Sequence, residues 1–318
     1  MGNNSTKFKS KRDELLLIRE CLLKGAEEVQ GTNIICFPDL KKLMMEDWKS
    51  YIKAGGHYDL YKAENTCVLD SLLVGFHLCY TKFEKIKLLF QSDSIMNAIM
   101  IFLDAKKYNE AKVLWLVRLN LMSEDCKFQI NFQKVINVWS EVKDHLPMLQ
   151  ELVCSRDHFS ESGAIHGAAD RLQESILREF QPYGEVMTLG KYGDPCLILV
   201  NIDGLMDTAP PLIKDKYGRT FELQFLLLWK RREQTKHMVV CCNLVDRWVL
   251  YDNNPSVAPD IDFNAAYFKK DYPVHLAGYV NVIQPGHSNV GVPVAEEGLR
   301  PGASVWNWSP VGDRNRRM

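Results

Sequence analysis

An α+β fold, with a helical N-terminal lobe and an antiparallel β-sheet C-terminal lobe, is the architecture this 318-residue sequence predicts. Three observations carry the prediction. Apolar residues recur at helical spacing from residue 13 to about residue 180, short β-rich runs replace them beyond Pro182, and no internal repeat interrupts either pattern. Helices first and strands second give two segregated lobes.

The first helix spans residues 13 to 30, where Leu15, Ile18, Leu22 and Val29 share one face with charges opposite. After Pro38 a second amphipathic stretch carries Leu40, Leu43, Met44, Trp48 and Ile52 and is expected to stop at Gly55-Gly56. A third helix opens at Cys67, because Leu69, Leu72, Leu73 and Phe76 keep helical spacing and Asn65 or Thr66 supplies an N-cap. Further periodic segments lie near residues 93 to 104, 107 to 122, 131 to 154 and 168 to 180. Ser155 to Gly167 is polar and reads as a loop. The strands expected are Cys196 to Ile202, Thr220 to Trp229, Met238 to Val245, Trp248 to Tyr251 and Val274 to Ile283, with turns at Asp207 to Pro211 and Asp252 to Pro255. Residues 286 to 318, rich in Gly, Pro and Asn, read as a disordered tail.

Composition narrows the function classes. The 39 basic and 40 acidic residues nearly cancel, which argues against nucleic acid as the main partner. No apolar run reaches bilayer-spanning length, and no secretory leader is expected. Nine cysteines, odd in number and irregularly spaced, suggest reduced thiols in the cytosol or nucleus. Neither CxxC pairs nor a HxxxH cluster appears, so no metal or other cofactor is expected. Met1-Gly2-Asn3-Asn4-Ser5-Thr6 fits the N-myristoylation pattern on Gly2, and Lys7, Lys9, Lys11 and Arg12 follow it. An acyl chain beside a basic run supplies the two signals that hold a protein on a membrane surface, and a solvated tail is the alternative.

The chemistry centres on Cys67. Unpaired N–H groups and the positive end of the dipole at a helix start favour a thiolate, although a free cysteine is in general most often a buried small hydrophobe. Such a nucleophile needs a base and a group to orient it, drawn from elsewhere in the chain. His237 begins one strand and Asp252 ends the next, and a turn near Asp246-Arg247 would set the two facing each other to within a bulge's worth of register. The order Cys, His, then Asp matches papain-type enzymes, and the separation lies somewhat beyond their usual ~130–150 residues. Taken singly, His237 is a strand histidine and Asp252 a turn residue.

Asn65-Thr66-Cys67-Val68-Leu69-Asp70-Ser71-Leu72-Leu73 resembles the cysteine box of the ubiquitin-specific proteases, and Asp70 brings it closest to the ubiquitin-specific peptidase-like SUMO isopeptidases. His237, Trp248 and Asp252 resemble the histidine box of the same superfamily, with Val274 to Ile283 as its closing strand. The resemblance implies a papain-like fold and hydrolysis after the Gly-Gly tail of ubiquitin or a SUMO-like modifier. It makes Cys67 the nucleophile, His237 the general base and then acid, and Asp252 the orienting acid. Its partners would be the modifier and its conjugates. The organisation it implies is a basic tail at 1–12, helices at 13–56, a catalytic domain at 57–285 whose lobes divide at 181/182, and a tail at 286–318.

Departures from the family pattern are equally visible. Lys62 stands where an oxyanion asparagine is usual, which leaves the Cys67 N–H, aided by the Asn65 side chain, as the donor. Lys236 replaces the glycine before the histidine, and the four-cysteine zinc finger is missing. Asp70 is either functional or a cap of the first helical turn. Two rival readings stay open. One is a catalytically inactive relative that binds a modifier or acts as a scaffold; the other is a transglutaminase-like thiol acyl-transfer enzyme.

Overall fold

In the computed structural model of the protein the Ser10 hydroxyl accepts from the Asp13 N–H and caps α1, Lys11–Val29. The structure describes residues 10–32, 34–59, 61–123, 126–128, 135–159, 184–191, 194–206, 209–214, 219–230, 237–261 and 272–282. Compact contacts divide the chain into Met1–Ile283 and Gln284–Met318. Gly2 with Lys7 and Lys9 of its basic run, the periodic segment at 168 to 180 and the tail at 286 to 318 lie outside the described residues. Among the described residues no helix is long and apolar enough to cross a membrane.

Leu15 and Leu22 of α1 are buried as their spacing requires. Pro38 sits in the first turn of α2, Phe37–Met45, a position where a missing N–H costs nothing. That helix buries Leu40, Leu43 and Met44 and ends well before Gly55. Gly55 adopts φ +74°, which glycine tolerates, and Gly56 already opens β1, Gly56–Tyr58. β1 pairs with β2, Tyr61–Glu64, which pairs in parallel with β3, Val135–Asn137.

The central helix, α3, runs from Cys67 to Lys82 and is buried on every side from Val68 to Tyr80. Helices α4, Glu84–Gln91, α5, Ser94–Asp104, and α6, Tyr108–Met122, surround it. Asp93 joins the last two: its Oδ1 accepts from the Ile95 and Met96 N–H groups at the start of α5 and from Arg118 of α6 at 2.6 Å. Two segments differ from the sequence expectation. The described residues between 131 and 154 form no long helix; they hold β3, 3-10 turns at Val142–Asp144 and Leu146–Leu152, and the start of a strand. Pro147 and the pairing of β3 with β2 explain this, since proline blocks helical continuation and the ladder claims the backbone. The polar run from Ser155 is strand as far as Phe159, because β4, Val153–Phe159, pairs along β5, Gly184–Lys191.

The β-lobe continues with β6, Asp194–Met206, β7, Leu212–Lys214, β8, Thr220–Lys230, β9, His237–Asn243, β10, Trp248–Tyr251, β11, Asp260–Ile261, and β12, Val274–Asn281. They form one antiparallel sheet ordered β11-β10-β9-β8-β12-β6-β5-β4, with β7 paired to β8. Strand alternation splits its side chains. Phe225, Leu227, Val240, Cys242 and Leu276 join the helical core, while Leu226, Leu228, Val239, Cys241 and Ala277 form a second core on the other face. Phe225 fixes how closely α3 approaches. A Cβ on Gly75 would come within 2.7 Å of the Phe225 ring, and one on Gly278 of β12 would overlap it. The fold is α+β, with helices N-terminal and an antiparallel β-lobe C-terminal, as predicted.

Candidate functional site

Three elements converge at the start of α3. Cys67 is its first helical residue and is half-buried. His237 is the first residue of β9, paired with Lys230 of β8. Asp252 follows the last residue of β10, whose register sets Tyr251 opposite Val240. Continuing that ladder puts Val239 opposite Asp252 and leaves His237 two residues further along the same face, within diagonal reach. The Asp252 carboxylate spans that diagonal, with His237 Nε2 at 2.7 Å from its Oδ1.

Asp252 is held from three sides. Its Oδ1 also accepts from the Asn254 N–H at 2.9 Å, and Lys230 Nζ lies 3.3 Å from Oδ2. Burial raises its pKa, but the hydrogen bonds from His237 and the Asn254 backbone, with the nearby positive charges, outweigh that and hold it below the ordinary carboxylate value. Burial disfavours the charged ring of His237, yet the hydrogen bonds with Asp252 and Cys67 and their charges push it up to about 10. With Nε2 committed to Asp252, Nδ1 is the nitrogen left for Cys67. The arrangement can therefore hold an imidazolium between a carboxylate and a sulfur. Nearby, Lys53 lies 4.5 Å from the Trp48 ring and donates to the Tyr251 hydroxyl. Burial brings it down to about 8 against the pull of Asp252.

Cys67 and His237 open onto a cleft of about 310 Å3 walled by Trp139, Asn201, Trp229 and His275. Trp229 and His275 stand with ring centroids 5.2 Å apart. These walls carried no signal in the sequence. They come from segments far apart in the chain, and none belongs to a local motif.

Asn65 stands apart from its suggested role. It is exposed, adopts φ +58°, and its Nδ2 donates to Asn137 Oδ1 at 3.0 Å. The same Asn137 oxygen accepts from the Trp139 N–H at 3.0 Å, so Asn65 is tied to the segment that forms the cleft wall. Lys62 is exposed and its Nζ donates to Glu64 Oε1. Lys236 lies outside the described residues.

Asp70 is fully buried, in the first turn of α3. Instead of capping a free N–H, its carboxylate forms an ion pair with Lys112 Nζ at 2.8 Å and accepts from Thr66 Oγ1 and Asn253 Nδ2, each at 2.6 Å. Thr66 and Asn253 are the immediate neighbours of Cys67 and Asp252.

No protein-family model matches the chain, and no curated protein matches it. Among solved structures, a chain of the structure of the SAGA Ubp8/Sgf11/Sus1/Sgf73 DUB module is distantly similar. The match covers 83% of this chain and 74% of that one, at 10% sequence identity and a TM-score of 0.41.

Proposed function

We propose that the protein is a cysteine isopeptidase that cleaves after the diglycine tail of ubiquitin or a SUMO-like modifier, with Cys67, His237 and Asp252 as its triad. The observation that carries this reading is the Asp252–His237 hydrogen bond at 2.7 Å, with His237 and a cysteine at a helix start lining the same walled cleft.

In this reading the Cys67 sulfur, as thiolate, attacks the carbonyl carbon of the terminal glycine, and the carbonyl electrons move onto oxygen. The Cys67 N–H, unpaired at the first turn of α3, donates to that oxyanion. Collapse breaks the C–N bond, and His237 passes its proton to the departing lysine amine. The resulting thioester is opened by a water whose proton His237 accepts, and departure of the sulfur as thiolate releases the modifier carboxylate and restores the thiolate–imidazolium pair. Asp252 keeps the ring oriented throughout and favours its charged form. Glycines suit the cleft between Trp139 and Trp229 because an unsubstituted backbone can pass between bulky walls.

Ubiquitin and SUMO carrying a C-terminal electrophile provide the test. A one-to-one covalent adduct on the wild type, absent from Cys67→Ala, is the expected result and names the modifier. No adduct with any modifier would overturn the enzyme reading in favour of a modifier-binding relative, a role compatible with Lys62 at the oxyanion position.

A further inference from the structure

The strongest polar cluster away from the reacting atoms is the one around Asp70. Its carboxylate is wholly buried and Lys112 is only 1% exposed. Withdrawing two such charges from water is costly, and apolar pairs of similar size are often as stable or more so. A buried ion pair therefore needs a reason beyond cohesion. Its wiring supplies one.

Lys112 Nζ donates to Lys53 O at 2.5 Å and to Gly55 O, and forms its ion pair with Asp70 Oδ1 at 2.8 Å. The segment it grips is stitched in turn to both halves of the site. The Gly55 N–H donates to Thr66 Oγ1 at 2.8 Å, and the Ala54 N–H donates to the Asn253 carbonyl at 2.9 Å. Asp70 closes the loop by accepting from the Thr66 hydroxyl and the Asn253 amide on one oxygen. Thr66 is bonded to Cys67 and Asn253 to Asp252, so a single buried hub holds the backbone beside the nucleophile and beside the acid.

We infer that Asp70 and Lys112, acting through Thr66 and Asn253, are positioning residues that set the separation of the Cys67 sulfur from the His237–Asp252 pair. The inference rests on the triad reading above. The hydrogen bonds run between the helical lobe, which carries Cys67, and the loop after β10, which carries Asp252, and no residue of the hub is among those lining the cleft. Its effect is on alignment, and a misplacement of about 1 Å at a reacting pair can cost on the order of 10²-fold in rate.

The test uses the full chain and peripheral members of the hub, which spares the ion pair itself. Thr66→Val keeps shape and removes the hydroxyl, Thr66→Ser restores it, and Asn253→Ala cuts the link to the acid. Capture rates by the electrophilic modifier, steady-state kcat and KM on a modifier fusion, the pH dependence of kcat and thermal midpoints are measured together. Thr66→Val and Asn253→Ala are expected to lower kcat by about 10-fold to 10²-fold with KM little changed. Their pH profiles are expected to alter, and Thr66→Ser is expected to return the wild-type values. Wild-type kcat in both variants would overturn the inference while leaving the triad reading intact. A loss that follows thermal destabilisation and is not recovered by Thr66→Ser would overturn it as well, by reducing the hub to a structural element. An inert wild type, with no capture and no turnover, would remove the triad reading and this inference with it.

Discussion

Replacing Asp252 by asparagine separates charge from geometry at the site. The amide oxygen of Asn can still accept the His237 Nε2–H bond now made at 2.7 Å, so the ring keeps its place while the negative charge disappears. Burial depresses the His237 pKa, and the Asp252 hydrogen bond heads the influences that lift it to about 10. Without that charge, burial is opposed chiefly by Cys67, and the midpoint should fall towards the ordinary 6.5. The sign for stability follows. A histidine raised in the folded state contributes stability that is fully present below pH 6.5 and lost as pH rises through about 10, so the wild type weakens across that window and Asp252→Asn does so much less. On the proposed reaction, loss of the orienting charge lowers kcat/KM by about 10²-fold to 10⁴-fold. The assay is NMR titration of ring-labelled histidines, with His237 among the eight assigned by its absence in His237→Gln, alongside turnover of a modifier fusion. Equal His237 midpoints in the two proteins would refute the electrostatic argument.

Phe225→Ala should cost about 3–5 kcal/mol, because the ring is fully buried between Gly75 and Gly278 with Phe76 at 5.8 Å. Gly278→Ala should cost about 1–3 kcal/mol or more by pushing into the same ring, and the double variant should be destabilised by less than the two losses combined, since Phe225→Ala opens the space that Gly278→Ala fills. Denaturant unfolding measures all three. His145 is fully buried, stacked on Phe128 at 4.7 Å and hydrogen-bonded to Ser140, and burial holds its imidazole down at about 3. Its NMR signals should stay those of the neutral ring as pH falls from 6.5 towards 4, while the unfolded chain takes up the proton and stability drops by up to about 1.4 kcal/mol per pH unit.

Much of this was legible because it was local. Cys67 opens a helix because Leu69, Leu72, Leu73 and Phe76 follow at the right spacing, and the hairpin carrying His237 and Asp252 was readable from two short β-rich runs around one turn. What escaped was decided by partners distant in the chain. Ser155 to Phe159 is too polar to announce a strand and becomes one only because β5 lies alongside. Val135 to Asn137 lies in a helix-like period yet pairs with β2. Asp70 allowed either function or a helix cap, since a sequence cannot show that Lys112 and Asn253 close on its carboxylate. Asn65 was expected to aid the Cys67 N–H at the oxyanion, and a sequence cannot show that its amide also bonds Asn137 of the segment leading to the cleft wall. The cleft walls Trp139, Trp229 and His275 meet only after the lobes form.

The most direct measurement of whether sulfur, imidazole and carboxylate work as one unit is competition among the protein's own thiols. Under brief, limiting iodoacetamide at pH 6, peptide mass spectrometry ranks the nine cysteines by rate. Cys21 and Cys36 are exposed and Cys67 is half-buried, so access alone would put Cys67 behind them. Activation by His237 predicts the reverse, with Cys67 alkylated first and that lead erased in His237→Ala. Cys67 reacting no faster than Cys21 and Cys36, in wild type and variant alike, would contradict the account.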